Sequence, residues 1–156
     1  RELFKRMEMK GLEKAFLPLH MGLGHFRTID VEDLSKHKMD SEQMNISEET
    51  AEMVNATHRN GKKVFAVGIT VMRALETPVA TQAEIKPYSG WTNKFIFPPY
   101  NFSIADAFIT NFHLPSSTML MSAAAFGGFE KVMNAYDVAL KEGYKFGTYG
   151  DAMLII

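Results

Sequence analysis

The sequence contains no cysteine. This absence excludes disulfide frameworks, zinc sites with cysteine ligands, iron–sulfur clusters and cysteine nucleophiles. Charge of one sign is not in excess either, because 17 basic and 18 acidic side chains give a formal net charge of −1. The composition therefore lacks the strongly basic character of many nucleic-acid-binding domains, although near-neutral charge does not exclude a nucleic-acid substrate.

Glycine, proline and long apolar runs are also scarce. The 156 residues include 11 glycines and 6 prolines, and 46% of them are apolar, which excludes collagen-like and disordered chains. The most apolar stretch, residues 119–126, is too short to span a bilayer. We expect residues 1–156 to form a single α/β domain of a soluble, cytoplasmic protein without a membrane partner. A start at Arg1 is also consistent with a portion of a longer chain.

Helical and strand-like segments alternate along the chain. Ser47 is a favourable N-cap followed by acidic residues, so a helix is predicted from there to about Asn60. Further helices are predicted at 1–10, 70–77, 118–126 and 129–140, strands at 15–19, 64–67 (buried), 95–97, 107–110 and within 144–156, and a loop at 78–93. This alternation indicates a layered α/β fold with a mainly parallel or mixed sheet and flanking helices.

Three loops at the expected carboxyl ends of strands carry polar residues, and ligands of layered α/β sheets gather at that edge. The first loop, residues 20–27, contains Gly22 and Gly24 and includes His20 and His25. Two glycines allow a ligand to approach the backbone closely, but G-x-G lacks the third glycine of a dinucleotide motif. A tight turn without a ligand, with hydrogen-bonded histidines, therefore stays open as an alternative.

The second loop, residues 68–73, opens the helix that Thr70 is expected to cap. Gly68 and the free N–H groups of the helix start suit a carboxylate, a phosphate or ribose hydroxyls. Arg73 and Glu76 lie three residues apart on this helix, a spacing that also fits a salt bridge between them. We favour an arrangement in which Arg73 reaches a ligand carboxylate and Glu76 orients Arg73.

The third loop, residues 110–118, combines an amide, an imidazole and two hydroxyls. His113 is the best single candidate for proton transfer, because imidazole exchanges protons near neutral pH. Asn111 stands two residues before it, and one serine of the pair 116–117 is expected to cap the next helix. Asp106, upstream on the same strand, is expected either to orient a neighbouring group or to form an ion pair.

The five histidines do not form a metal-binding pattern. No two of them stand at H-x-x-x-H spacing, and cysteine ligands are absent, so we expect no metal. The 11 methionines are more typical of core packing than of a flexible binding surface. The residues alone therefore indicate a small-molecule- or nucleotide-binding α/β domain and leave open whether it is an enzyme.

Seven segments, taken together and in order, resemble one family, the S-adenosylmethionine:tRNA ribosyltransferase-isomerases of queuosine biosynthesis. They are LPLHMGLGHFR (17–27), HKMDSE (37–42), ISEETAEMVN (46–55), VFAVGITVMRALET (64–77), SGWTNKFIFPPYNF (89–102), IADAFITNFHLPSSTMLMSAAAFGG (104–128) and YKFGTYGDAMLI (144–155). Within these segments, TNFHLP and YGDAMLI are the motifs most specific to the family. The chain resembles the carboxy-terminal portion of a family member, from about residue 17 on.

The resemblance implies a reaction and its partners. The ribosyl group of S-adenosylmethionine is transferred and isomerised onto the 7-aminomethyl-7-deazaguanine base of tRNA, which gives epoxyqueuosine and releases adenine and methionine. S-adenosylmethionine is then a ribosyl donor, and tRNA is the macromolecular partner. The family's α/β domain is longer than this chain and carries an inserted β-barrel domain, so we expect an incomplete part of that α/β domain without the barrel.

The resemblance also implies roles for individual residues. His113 is the first choice for acid–base work and His20 is the second. Arg73 would pair with the carboxylate of S-adenosylmethionine, and Glu76 would orient Arg73 or bind a ribose hydroxyl. Glu42 is a weaker candidate for contact with the substrate base. Gly22, Gly24 and Gly68 would let the backbone approach the donor closely, and Thr70 would add a hydroxyl group.

The remaining candidates would shape or close the substrate pocket. Asn111 and Asp106 would shape it, and Tyr149 and Asp151 of the terminal motif would close it. Trp91 would stack on adenine or on the tRNA base, unless its indole anchors the surrounding loop in the core.

Two functions of other classes stay open beside the transferase. The first is a non-catalytic module that binds S-adenosylmethionine or a nucleotide and is inactive as this portion of chain. The second is an enzyme of another class, such as an adenine-nucleotide hydrolase on a similar sheet.

Overall fold

The computed structural model of the chain describes residues 1–79 and 83–156, and of His25 only the backbone. The elements of the described residues are, in chain order, α1 (Glu2–Met9), β1 (Leu19–His20), β2 (Glu42–Ile46), α2 (Glu48–Arg59), β3 (Phe65–Val67), α3 (Ile69–Leu75), β4 (Tyr88–Thr92), β5 (Ala107–Asn111), α4 (Thr118–Gly127), α5 (Phe129–Lys141) and β6 (Ala152–Ile155). None of these helices is long and apolar enough to cross a membrane. The α/β class predicted from the sequence is confirmed.

Strands β1, β2 and β4 form the antiparallel sheet, in the order β1-β2-β4. Along β2 every second side chain is buried, which is the pattern of a strand with one face on the core. Glu42, Met44 and Ile46 face inward, whereas Gln43 and Asn45 face outward. One face of the antiparallel sheet therefore contributes to the core, and the other is exposed.

Strands β3, β5 and β6 form the mixed sheet, in the order β3-β5-β6. Strand β3 is parallel to β5, with Val67 opposite Ile109, and β6 is antiparallel to β5, with Leu154 opposite Ile109. Because β3 and β5 are parallel, their carboxyl ends lie at one edge of the sheet. This is the edge at which α/β sheets usually bind ligands.

Helix α3 and strand β5 lie at the centre of the core. Met72 of α3 and Phe108 of β5 are fully buried, and burying a side chain of this size stabilises the fold by about 1.5–3 kcal/mol. The Phe108 ring meets the Phe126 ring of α4 edge to face, with 5.7 Å between their centroids, a geometry that the ring quadrupoles favour. Helix α3 contacts β1 as well as β3, so this short helix packs against both sheets.

Serine side chains cap the N-termini of α2 and α4, as the sequence predicts. The Oγ atoms of Ser47 and Ser117 each accept a hydrogen bond at 3.1 Å from the N–H three residues further on, and such a cap contributes about 1 kcal/mol. The predicted cap by Thr70 is wrong. Helix α3 begins after Gly68, whose φ of +95° favours glycine, and Thr70 is already the second residue of the helix.

Several strands differ from the prediction. The strand expected at 15–19 is only Leu19–His20, and residues 95–97 lie outside both sheets in the described structure. The loop expected at 78–93, of which 80–82 lie outside the described residues, contains β4, and β2 was not predicted. Strand β3 was expected to be buried, but only its middle residue is, because one face of the mixed sheet is open to solvent.

Candidate active site

The three polar loops predicted from the sequence adjoin one another. The N–H of Ile29, just after the first loop, donates to the carbonyl of Ser116 in the third loop at 2.8 Å. The second and third loops meet through the mixed sheet, where the N–H of Gly68 donates to the carbonyl of Ile109 at 2.8 Å. We call the adjoining parts of these loops the loop cluster, and its residues are 21–29, 68–72 and 110–118.

His113 is the side chain of the loop cluster best placed for proton transfer. Its Nε2 lies 2.7 Å from Oγ1 of Thr110 at the end of β5, and its backbone N–H donates to the hydroxyl of Tyr136 at 2.8 Å. Tyr136 is 5% exposed, and burial raises the pKa of its phenol, so this hydroxyl stays protonated. His113 is half-buried, so it is held in position while part of its surface remains accessible.

Asn111 connects the loop cluster with the terminal motif. Its Nδ2 donates to the carbonyls of Gly150 at 3.3 Å and Asp151 at 3.2 Å. The carboxylate of Asp151 accepts from the N–H of Lys145 at 2.8 Å, which fixes the turn before β6. Tyr149 is fully exposed on the same turn. The structure therefore places Tyr149 and Asp151 at the end of β5, beside Asn111.

Arg73 pairs with a protein carboxylate rather than facing an open site. Its Nη1 lies 2.5 Å from Oε2 of Glu42, and its Nε donates to the carbonyl of Lys94 at 2.9 Å. The other carboxylate oxygen of Glu42 accepts from the N–H of Gly22 at 3.0 Å. The side chains of Arg73 and Glu42 are both 2% exposed. Direct contact of Arg73 with the donor carboxylate, or of Glu42 with the substrate base, does not fit this burial. The pair instead positions the glycine-rich loop.

Glu76 binds the segment that connects β4 of the antiparallel sheet with β5 of the mixed sheet, residues 93–106. It is 1% exposed, and its carboxylate accepts from the N–H groups of Ser103 at 3.1 Å and Ile104 at 2.9 Å and from the Tyr100 hydroxyl at 3.3 Å. Burial and the charge of Glu76 raise the pKa of Tyr100 to about 12, and burial lowers the pKa of Lys94. A role of Glu76 in orienting Arg73 or binding ribose does not fit these contacts.

Asp106 lies at the opposite end of β5 from the loop cluster. Its carboxylate accepts from the N–H of Val64 at 2.8 Å and lies 3.2 Å from Nε2 of His58. Strand β5 separates it from Asn111 by roughly 16 Å, at about 3.3 Å per residue. Asp106 therefore does not shape the same pocket as Asn111, and its carboxylate is engaged by Val64 and His58 instead.

The two glycines of the first loop have different surroundings. A Cβ on Gly24 would overlap the carboxylate of Asp40, which forms an ion pair with Arg27 at 3.6 Å. Protein packing thus explains the glycine at this position. A Cβ on Gly22 would meet open space, and its N–H donates to Glu42.

His20 and Trp91 share one row on the outer face of the antiparallel sheet. Gln43 lies between them, opposite His20 on one side and opposite Trp91 on the other. Trp91 is 62% exposed, so the alternative that it anchors a loop in the core is wrong. Sequence reasoning missed Gln43, although the alternation of EQMNI at 42–46 was a signal that its side chain faces outward.

Comparison with known proteins identifies the family. The family model described as "Queuosine biosynthesis protein" matches residues 1–155. The chain belongs to this queuosine biosynthesis family. The resemblance inferred from the seven sequence segments is therefore confirmed.

Named members of the queuosine biosynthesis family match the whole chain. A Bacteroides fragilis protein named S-adenosylmethionine:tRNA ribosyltransferase-isomerase is 64% identical over 156 residues, which are 100% of this chain and 44% of that protein. A protein of the same name from Acetivibrio thermocellus is 47% identical over 154 residues, 99% of this chain and 45% of that protein. The chain thus spans less than half the length of these relatives.

A solved family structure has the same fold. The crystal structure titled S-adenosylmethionine tRNA ribosyltransferase from Thermotoga maritima matches with a TM-score of 0.81 at 39% identity. The match covers 99% of this chain and 49% of that chain. The matched part is thus about half of that relative's chain.

The expected site residues of this queuosine biosynthesis family member divide into three groups. Those in or beside the loop cluster are Gly22, Gly24, Gly68, Thr70, Asn111, His113, Tyr149 and Asp151. His20 and Trp91 lie on the outer face of the antiparallel sheet. Arg73, Glu76 and Asp106 are engaged in protein contacts. Within the described residues, no three histidine, aspartate or glutamate side chains are arranged to hold a metal ion.

Proposed function

We propose that this chain contributes the proton-transfer and donor-binding residues of an S-adenosylmethionine:tRNA ribosyltransferase-isomerase. The observation that carries the proposal is the loop cluster, in which three loops nominated by their chemistry adjoin at the carboxyl ends of β3 and β5. Relatives that bear this enzyme name match the chain from end to end. Because the chain spans less than half their length, the complete activity requires residues beyond it.

The proposed reaction needs one well-placed acid–base group. The sulfonium of S-adenosylmethionine acidifies the adjacent ribose carbon, and loss of that proton allows adenine to leave. The amine of the 7-aminomethyl-7-deazaguanine base then bonds to the sugar, and methionine leaves as the epoxide closes. We assign the proton transfers to His113, held by Thr110 and Tyr136. A group of this kind typically contributes about 10²–10⁴-fold to the rate.

The other residues of the loop cluster bind the donor in this proposal. Gly68 and Thr70 lie where β3 ends and α3 begins, and Asn111 holds the backbone of Gly150 and Asp151 beside the end of β5. The Glu42–Arg73 pair acts indirectly, by fixing the N–H of Gly22. Epoxyqueuosine-tRNA, adenine and methionine are the products, and cytoplasmic tRNA is the substrate.

Replacement of His113 tests the proposal. In a full-length family enzyme that contains this segment, His113→Gln is expected to lower adenine and methionine release by about 100-fold or more. The measurement is release of both products from S-adenosylmethionine in the presence of tRNA that carries the 7-aminomethyl-7-deazaguanine base. His37→Gln is the matched control, because His37 packs against Phe95 outside the loop cluster.

Each outcome has a distinct meaning. Near-native release by His113→Gln together with a large loss in His20→Gln would move the acid–base role to His20. Binding of S-adenosylmethionine by the unaltered enzyme without release of adenine would support the non-catalytic alternative. Nucleotide hydrolysis that does not depend on tRNA would support the hydrolase.

A further inference from the structure

We propose that the outer face of the antiparallel sheet binds an unpaired base of RNA, with Trp91 stacking on the base and Gln43 hydrogen-bonding its edge. This inference rests on the proposed function for the macromolecular partner, tRNA. It adds a residue, Gln43, and a surface distinct from the loop cluster. We call this surface the base platform, and its residues are His20, Gln43, Asn45, Ser89 and Trp91.

The register of the strands builds the base platform. His20 lies opposite Gln43 and Gln43 opposite Trp91, while Asn45 lies opposite Ser89 in the next outward row. Side chains directly opposite on one face have Cβ atoms about 4.5–5.5 Å apart. The Gln43 amide therefore adjoins the Trp91 indole, and a base stacked on the indole presents its edge to that amide.

Trp91 is exposed on a strand that is held firmly from behind. The Tyr88 hydroxyl donates to the carbonyl of Trp91 at 2.9 Å, and its ring covers Gly90, where a Cβ would lie 2.8 Å from that hydroxyl. The next residue, Thr92, is buried and its Oγ1 lies 2.7 Å from Oγ1 of Thr77. The indole is therefore presented on a fixed backbone, which lowers the entropy lost on stacking.

The chemistry of the base platform suits RNA better than a protein partner. Its outward side chains are an indole, an imidazole, two amides and a hydroxyl, and the carboxylate of β2, Glu42, points inward to Arg73. No carboxylate thus stands among the outward residues of these described strands to repel phosphate. A depression of about 190 Å³ beside Gln43 is lined by polar groups that include His20, Asn45 and Ser89.

Recognition of single-stranded RNA uses two of these elements, an exposed aromatic ring and polar side chains beside it. Unpaired bases stack on exposed aromatic side chains and are read by hydrogen bonds to their edges. A base in a duplex has neither its faces nor its edge free. The base platform is therefore expected to bind the unpaired loop of a stem-loop RNA and to make no contact with the bases of the paired stem.

The test measures RNA binding by full-length family enzyme that contains this segment, apart from turnover. The probe is a fluorescently labelled stem-loop RNA, followed by anisotropy, and the same RNA annealed to its complement is the duplex control. Trp91→Ala is expected to weaken stem-loop binding about 10- to 100-fold, and Gln43→Ala about tenfold. Trp91→Phe keeps a stacking ring and is expected to restore most of the affinity.

Phe129→Ala is the matched control variant. Phe129 is an aromatic residue of similar exposure, 59%, but it lies at the start of α5, away from the platform. This variant is expected to bind RNA as the unaltered enzyme does. Equal affinity of Trp91→Ala and Phe129→Ala would overturn the inference, as would equal loss of stem-loop and duplex binding in Trp91→Ala.

A third arm separates the base of RNA from the adenine of the donor. The Kd for S-adenosylmethionine is expected to change less than about twofold in Trp91→Ala and Gln43→Ala, since the donor binds at the loop cluster. A loss of donor affinity with RNA affinity unchanged would assign the face to adenine and overturn the RNA inference. An unaltered enzyme that binds stem-loop RNA through Trp91 but releases no adenine would instead remove the proposed reaction and leave the platform in place.

Discussion

The antiparallel and mixed sheets each have three strands, yet they leave chemically different faces uncovered. The antiparallel sheet exposes polar side chains around Trp91, whereas the mixed sheet exposes Phe65, Val67 and Leu154. Val67 and Leu154 flank Ile109 in one row of the mixed sheet, so these apolar side chains form a continuous surface. We call this surface the apolar face, and its residues are Phe65, Val67, Ile109 and Leu154.

This difference indicates different partners for the two faces. An open polar face loses little by contact with water and suits a ligand that is bound and released. A contiguous apolar face favours burial against protein, because each Å² of apolar surface removed from water contributes about 25 cal/mol. The residues at alternate positions of the strands thus give the two sheets chemically different outer faces.

The largest expected effect comes from breaking the ion pair that joins the two sheets. Arg73 on α3 reaches Glu42 on the antiparallel sheet, while α3 itself follows β3 of the mixed sheet. Arg73→Ala leaves the Glu42 carboxylate buried without this partner and is expected to lower the free energy of unfolding by about 3–5 kcal/mol. Urea denaturation of the purified chain measures this change.

Two further variants define the origin of that loss. Replacing both partners, Glu42→Leu with Arg73→Met, removes the buried charges together and is expected to recover most of the stability. The exposed pair of Arg6 and Glu2 is the control, and Arg6→Ala is expected to cost less than about 1 kcal/mol. If Arg73→Ala costs no more than Arg6→Ala, the pair does not hold the sheets together.

The apolar face gives the second prediction. Val67→Thr combined with Leu154→Thr replaces two exposed apolar side chains by residues that keep β propensity. We expect the double variant to reduce concentration-dependent self-association of the 156-residue chain, as measured by sedimentation velocity. Little stability is lost, because neither side chain is buried in the chain alone.

A matched pair on a helix serves as the control for this variant. Val138 and Leu140 are comparably exposed on α5, but two residues apart on a helix they do not share one face. Val138→Thr with Leu140→Thr is therefore expected to leave association unchanged. Equal effects of the two double variants would show that scattered exposure, rather than the sheet face, drives association.

Local signals in the sequence predicted the helices well and the antiparallel sheet poorly. Ser47 and Ser117 cap their helices because capping involves neighbours three residues away. Strand β4 contains Ser89 and Gly90, which locally favour a turn, and it forms because β2 pairs along its whole length. Such pairing between distant segments overrides local propensity, which explains why both strands were missed.

The candidate site shows the same division between residue chemistry and three-dimensional placement. The loops around Gly68 and His113 were predictable, because polar residues after parallel strands gather at one edge. The partners of Arg73 and Glu76 were not, because spacing on one helix says nothing about a carboxylate on β2 or a backbone segment near residue 103. Arg73 and Glu76 are buried, and burial of this kind indicates that a side chain positions a protein segment.

The smallest expected effect concerns the connection from the antiparallel sheet to the mixed sheet. Glu76, the residue that follows α3, binds this connecting segment, and burial together with the Glu76 charge raises the pKa of Tyr100 to about 12. The unfolded chain releases the phenol proton near pH 10, whereas the folded chain retains it. The folded state therefore binds more protons than the unfolded state between about pH 10 and 12, and stability falls as pH rises through this range.

Tyr100→Phe removes this titration. The variant also loses the 3.3 Å hydrogen bond to Glu76, so it is expected to be slightly less stable than the unaltered chain at about pH 8. The difference should shrink and then reverse above about pH 10, because the variant has no phenol proton to lose at this position. The lowered pKa of Lys94 acts in the opposite sense but below 10.5, so its contribution is complete before the Tyr100 range ends.

The free energy of unfolding, measured between about pH 8 and 11.5, shows whether the two stability curves cross in the range where Tyr100 titrates. Tyr144→Phe is the control for loss of a tyrosine, because it removes a side chain that is 49% exposed and leaves the contact between Tyr100 and Glu76 in place. Parallel curves for the Tyr100→Phe variant and the unaltered chain would show that the Glu76 contact does not couple this connection to pH.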